Sequence, residues 1–431
     1  MRSNRYFMLA ILTIIALMNF VDRQILAILL ESIKADLELT DLELGLLSGL
    51  VFAMFYAVVG IPIARLADRW DRRKIISISL FFWSSMTVVS GFANSFFHLA
   101  LARVGVGIGE GGVQPASHSF IAENFAPKER ATAFAVYSAG ITAGIFAALS
   151  IGGWANDAYG WRVAFFIAGV PGIVLAFIAY ASLKETRASK KFSFSMFSAG
   201  EGERSLIESF KFFWRSKAWR FAGIAAVVTQ IATLGISAWL PAFIIRSHGL
   251  STADTGLLMA LLIGIGGTMG AVGGGLFADK LAKSRGIQWL SWSLGCSYAL
   301  VCVLAPAVFL MNDFTLLVIL LAPYTALLLT SSGVQFAIAQ SVVRSDMRAM
   351  SSALLILLIN LFGLGLGPLI VGGLSDMLLE TSGNQSLRYA MLCMTPLYFV
   401  GVYCFYKSGQ YLPTEVVADD EDELVDASPA R

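Results

Sequence analysis

The sequence predicts an all-α membrane protein: twelve transmembrane helices in two pseudo-symmetric six-helix bundles. Three observations predict it. Of 431 residues, 57% are hydrophobic and only 14% charged, where a soluble domain carries about 25% charge. Apolar runs of roughly the 20 residues needed to cross a bilayer recur along the whole chain. The second half also repeats sequence features of the first.

The composition, with a mean hydropathy of +0.73, excludes a soluble enzyme, a nucleic-acid binder and a disordered chain. A net charge of +2 is too small to attract a polyanion. Cys296, Cys302, Cys393 and Cys404 lie in apolar runs without CxxC spacing, so neither a metal site nor a disulfide framework is expected.

Twelve spans emerge at 6–30, 43–66, 75–93, 97–121, 130–155, 162–183, 219–245, 254–278, 287–310, 314–340, 348–375 and 388–408, each bounded by charge, Pro or Gly. The first follows Arg2 and Arg5. It is too long for a signal-peptide core and lacks a small-residue cleavage site, so it is expected to stay attached. Counting Lys and Arg on alternate sides sets the orientation. One side holds only Lys34, Arg162, Arg246 and Arg388, Arg23 and Arg103 lie within spans, and the rest fall on the other side, in the termini, the linker and the loops at 65–74, 128–130, 280–285 and 344–348. Both termini are therefore expected in the cytoplasm, of a plasma or inner membrane.

The linker separates six spans from six, and the halves correspond. Leu39, Gly45, Leu46 and Leu47 match Leu250, Gly256, Leu257 and Leu258 at one constant offset, which also carries Asp68 and Arg69 onto Asp279 and Lys280. The expected organisation is an N-terminal six-helix bundle (1–184), a cytoplasmic linker (185–217), a C-terminal six-helix bundle (218–409) and an acidic disordered tail (410–431). Leu206, Phe210, Phe213 and Trp214 recur at helical spacing, so the linker can hold a short amphipathic helix or a loop.

This plan resembles the major facilitator superfamily of secondary transporters. Residues 64–74, Ala-Arg-Leu-Ala-Asp-Arg-Trp-Asp-Arg-Arg-Lys, are similar to its signature loop between spans 2 and 3, with Ala64 and Asp71 where glycines are usual. Arg103-Val-Gly-Val-Gly-Ile-Gly109 is similar to the span 4 signature. The span 5 antiporter signature is partial: Gly140, Gly144, Gly152 and Gly153 fit, but Ala148-Leu149 replaces Gly-Pro. A narrower resemblance is to the Spinster family. It rests on Asp22-Arg23, the run from Asp36 through Thr40-Asp41 to Leu47, Gly105-x-Gly-x-Gly-Glu110 with Pro115, Phe125-Ala-Pro-x-x-Arg130, Gly160-Trp-Arg162 and Pro171-Gly172. The resemblance implies the major facilitator fold, alternating access, a functional monomer and, by kinship, lysolipid- or sphingolipid-type cargo.

An ionised side chain at membrane depth is costly, so each one needs a reason. Four are present. Asp22 and Arg23 lie past the middle of span 1, while Arg103 and Glu110 stand two turns apart on one face of span 4. The superfamily resemblance implies that spans 1 and 4 line one cavity. Burial penalises a carboxylate's charge and a nearby Arg favours it, a competition that lets protonation switch as a cavity opens or closes. Asp22 and Glu110 are thus the expected proton-coupling acids, and Arg23 and Arg103 their charge partners or the hold on an anionic headgroup. The alternative is a set of permanent ion pairs that pin span 1 to span 4. Asn19, Gln114, Gln230, Tyr324, Gln335 and Asn360 are candidate cavity lining, and each could equally be packing. His118 reads as a buried histidine before a proton relay.

The charges Asp68, Arg69, Arg72, Arg73 and Lys74 are expected to form a cytoplasmic gate motif. By resemblance, Asp68 would face the start of span 11 near Ser345 to Arg348 and latch the outward-open state. Glycines crowd spans 4, 5, 8 and 11, where small residues permit close helix approach, and Pro171 and Pro368 can kink their spans. Residues 107–112 match GxGxxG but follow no strand, so a nucleotide fold is excluded.

The expected function is proton-coupled secondary transport of an amphipathic, lipid-like organic anion. The alternative is a proton-driven multidrug efflux transporter; a non-transporting sensor or a polytopic enzyme ranks below both. No GxSxG or HExxH is present and the three histidines sit in no recognised motif, so an enzyme is not expected, nor a metal, cofactor or nucleic acid. The expected partners are a small amphipathic substrate, protons and membrane lipid.

Overall fold

The computed structural model describes residues 5–185 and 206–417. Among them the chain is helical throughout, joined by short turns. The linker's 186–205 and the tail from 418 onward lie outside the described residues.

The first half runs α1 (Arg5–Leu37), α2 (Asp41–Ser48), α3 (Leu50–Arg69), α4 (Arg72–Ser90), α5 (Phe96–Glu110), α6 (Val113–Asn124), α7 (Pro127–Tyr159) and α8 (Trp161–Ser182). A short α9 (Leu206–Phe213) precedes α10 (Lys217–His248) and α11 (Thr252–Leu261). A π-helical turn at Leu262–Gly267 leads into α12 (Thr268–Arg285), then α13 (Trp289–Leu310), α14 (Phe314–Leu329), α15 (Ser331–Ser341) and α16 (Arg348–Leu358). A second π-helical turn, Ile359–Leu364, joins α16 to α17 (Gly365–Ser382), and α18 (Ser386–Leu392) and α19 (Thr395–Glu415) close the chain.

Helix starts are set by local chemistry. Thr40 and Glu43 form a reciprocal capping box on α2, and Asp71, Ser95, Ser251 and Asp313 each accept a bond from a backbone amide in the first turn of α4, α5, α11 and α14. Gly160, at φ +85°, supplies the left-handed residue that turns α7 into α8.

Nine continuous helical stretches among the described residues are long and apolar enough to cross a membrane. The last of them, Arg348–Glu415, holds two of the expected spans, divided at Gly383–Gln385. The third and fourth expected spans are α4 and the α5–α6 pair, whose serines and buried charges lower their hydropathy.

The helices group into two compact units. The first comprises Met1–Glu201, Gly235–Gly264 and Leu364–Ala390; the second comprises Gly202–Leu234, Ile265–Gly363 and Met391–Arg431. Trp83, Phe120, Leu80 and Ile121 centre the core of the first. Within it α17 lies directly on α2: a Cβ on Gly45 would stand 2.5 Å from the Pro368 carbonyl oxygen, and one on Gly49 2.7 Å from that of Gly365. Only glycine permits that approach. In the second unit Tyr298 stacks on both Tyr398 and Phe405, with ring centroids 5.5 and 5.9 Å apart.

Candidate functional site

The four intramembrane charges converge in the core of the first unit. Asp22 and Arg23 come from α1, Arg103 and Glu110 from α5. Arg23 Nε donates to Glu110 Oε2 at 2.6 Å; the Glu110 side chain is fully enclosed and that of Arg23 is 18% exposed. Asp22 is held differently: Trp83 Nε1 donates to its Oδ2 at 2.8 Å, and Arg103 Nη1 donates to its backbone carbonyl at 3.2 Å. Asp22 Oδ1, Glu110 Oε1 and Arg103 Nε are buried without a well-formed hydrogen bond. Unsatisfied polar atoms at this depth are expensive.

The Arg23 guanidinium is boxed by aromatic faces, 4.5 Å from the Tyr56 centroid, 5.1 Å from Phe52 and 5.4 Å from Phe20. Arg103 shares the Phe52 ring at 5.8 Å. A cation over several rings retains attraction when its carboxylate partner is neutralised. The arrangement can therefore take up or lose a proton on a carboxylate without stranding the base beside it.

Trp83 is a site residue that sequence reasoning missed, because an indole in a span reads as apolar bulk. Asn19, one turn before Arg23, is half-buried, whereas Gln114 is exposed on α6, past the break at Gly111–Gly112. His118 packs edge-on against Phe134 and Tyr137, at 5.2 and 5.3 Å.

In the second unit Gln230 Nε2 reaches Ser331 Oγ at 3.4 Å. Tyr324 is fully buried against Phe309, and Gln335 is buried with Oε1 unpartnered. Asn360 sits half-buried in the second π-helical turn.

Of the signature loop, the side chains of Asp68 and Arg69 lie outside the described residues, and the expected latch with them. Asp71 caps α4 through the Lys74 amide at 3.2 Å, and Arg73 reaches its carboxylate at 3.4 Å. Arg72 is completely buried. It bonds Glu185 at 2.5 Å, Glu123 at 2.7 Å and Ser119 at 3.0 Å, with its guanidinium 4.3 Å above the Phe120 ring.

A second ionic cluster, centred on Asp41 at the start of α2, was not anticipated. Arg246 grips both Asp41 oxygens at 2.6 and 2.7 Å and Glu31 at 2.8 Å, while Lys34 and Ser375 reach Asp41 at 2.6 and 2.7 Å. Asp376 accepts bonds from the amides of Asp41 and Leu42 at 3.1 and 2.7 Å. Nearby, Asp157 accepts from the Ala253 amide at 2.7 Å. These contacts fasten α10, α11 and α17 onto α1, α2 and α7.

Comparison with known proteins gives concordant matches. The family model for the Major Facilitator Superfamily matches residues 12–368. An MFS-type efflux pump of Mycolicibacterium smegmatis is 32% identical over 413 residues, 95% of this chain and 94% of that one. A probable galactarate/D-glucarate transporter of Bacillus subtilis is 27% identical over 305 residues, 65% of this chain and 66% of the other. The crystal structure of a bacterial homolog to the human lysosomal transporter Spinster, in an inward-facing and unoccupied conformation, superposes with a TM-score of 0.85. It is 25% identical, with 97% of this chain and 99% of that one covered.

Proposed function

The chain belongs to the major facilitator superfamily, as a multi-pass membrane transporter of a small molecule, and from that premise we propose that it is a proton-driven efflux transporter of amphipathic organic compounds. The observation that carries the proposal is the buried Arg23–Glu110 pair beside an Asp22 whose Oδ1 is unsatisfied. Glu110 Oε1 and Asp22 Oδ1 lack a well-formed hydrogen bond, which leaves each carboxylate a place for a proton. Protonation of Glu110 frees Arg23, which stays in its aromatic box, and the transporter then passes to its other state in alternating access. The rings around Arg23 give an amphipathic cargo both a polar and an apolar contact. The efflux-pump relative supports this reading over the other.

The second reading, lysolipid- or sphingolipid-type cargo, draws on the Spinster resemblance of residues 19–172 and on the likeness in fold. Both readings share further assignments: proton coupling at Asp22 and Glu110, Arg23 and Arg103 as charge partners, cytoplasmic termini from the Lys and Arg bias, and a functional monomer.

Flux in proteoliposomes under an imposed pH gradient tests the proposal, with ethidium and a labelled lysolipid as separate probes and Glu110→Gln beside the wild type. The expected result is gradient-driven ethidium flux that Glu110→Gln abolishes while the variant still folds. Lysolipid flux alone would transfer the assignment to the second reading. Flux indifferent to the gradient, or intact in the variant, would remove the coupling role.

A further inference from the structure

The short helix α9 borders an apolar groove in the second unit. Phe213 of α9 is buried and stacks on Trp219 at 5.6 Å with the planes 27° apart, and Phe210 meets Trp214 at 5.0 Å. Trp219 is fixed in turn by a 2.8 Å bond from Nε1 to Ser351. The helix is thus docked on the start of α10. Beside this aromatic seat runs a groove of about 220 Å³, lined by Phe210 and Trp214, by Gly223 and Ile224 of α10, and by Leu358 and Phe362. Every side chain facing it is apolar.

Basic residues adjoin the lining residues in sequence: Lys211 follows Phe210 and Arg215 follows Trp214, while Lys217 lies 5.1 Å over the Tyr411 ring. Lys211, Arg215 and Lys217 are exposed and Arg220 is half-buried, four cations within ten residues. Of the acids nearby, Glu415 is engaged in capping α10, where it accepts from Ser216 Oγ at 2.6 Å and from the Ala218 amide at 3.0 Å. Exposed Glu208, on the first turn of α9, offsets one of the positive charges. An apolar slot beside the start of a membrane span, with exposed Trp214 in its lining and exposed cations adjacent in the chain, matches the two ends of a lipid, an acyl chain and an anionic headgroup.

We propose that this groove binds one anionic glycerophospholipid from the leaflet at the α9 end of α10, its chain between α9 and α10 and its phosphate over Lys211, Arg215 and Lys217. The site is separate from the buried charges of the first unit and takes a resident lipid, whatever the transported cargo. The bound lipid would cement α9 to the start of α10 within the second unit.

Native mass spectrometry of the full chain, titrated with phosphatidylglycerol and with phosphatidylcholine of matched chains, tests the assignment. Wild type should retain phosphatidylglycerol at least about fivefold more strongly, the scale of a single basic contact with an anionic surface. Lys211→Gln/Arg215→Gln/Lys217→Gln should erase that preference. Gly223→Leu should remove retained lipid of both kinds: a Cβ there meets the Trp219 ring at an ordinary 3.5 Å, so the larger side chain is accommodated and fills the groove. Ile224→Trp blocks it from the adjacent position if Gly223→Leu fails to fold. No preference in the wild type, a preference surviving the triple substitution, or retention unchanged in a folded groove-filling variant would each overturn the proposal. Loss in the triple variant alone would reduce the site to nonspecific surface charge, which also overturns it.

Discussion

Replacing Arg246 with Gln should release α10 from α2. The guanidinium makes three charge-assisted bonds, two to Asp41 and one to Glu31, and the Asp41 side chain is 2% exposed against 15% for Arg246. Breaking a buried pair by removing one partner costs about 3–5 kcal/mol. Two features reduce that here: Lys34 and Ser375 stay on Asp41, and Glu31, 20% exposed, can hydrate. A loss of about 2 kcal/mol remains, roughly a thirtyfold shift between the arrangement with the cluster formed and one with it parted. Spin labels at exposed Glu38 and Glu380, in a background with the four free cysteines replaced, report the populations by double electron–electron resonance. Arg246→Lys, which keeps charge but not the fork, should fall between. A double-mutant cycle with Asp41→Asn isolates the pair. An unchanged distance distribution in Arg246→Gln, or a coupling below about 0.5 kcal/mol, would refute the reasoning.

Gly45→Val should shift the same equilibrium the same way without touching a charge, since its side chain would collide with the Pro368 carbonyl; overpacking of this kind costs about 1–3 kcal/mol, read with the same labels. Trp83→Phe removes the indole donor to Asp22 Oδ2 and should cost about 1–3 kcal/mol, visible as a lower melting temperature in detergent; an unchanged melt contradicts the bond's role.

Hydrophobicity made the spans legible because a bilayer demands a long uninterrupted apolar helix, and that demand is written in consecutive residues. The charges of the first unit were legible for the converse reason: Asp22, Arg23, Arg103 and Glu110 interrupt such runs. Their pairing was not. Nothing in the spacing says that Glu110 takes Arg23 while Asp22 takes a tryptophan, because side-chain reach across two helices decides it. Asp41 and Arg246 escaped altogether. Each stands at a span end, where charge is ordinary, and they are 205 residues apart. Asp41 belongs to the Asp36–Leu47 run that carries the family resemblance, but its partner is supplied by folding alone.

The π-helical turns at Leu262–Gly267 and Ile359–Leu364 change how the spans containing them must be read. A π-turn inserts one residue into the α-helical register, and one residue of an α-helix is about 100° of rotation. A helical wheel drawn straight through either segment therefore assigns the wrong face to everything beyond it. Each turn also sits where its span passes from one compact unit to the other, at Gly264 and at Leu364. The inserted residue re-aims everything beyond it, so the residues of such a span that share a face must be read separately on the two sides of the turn.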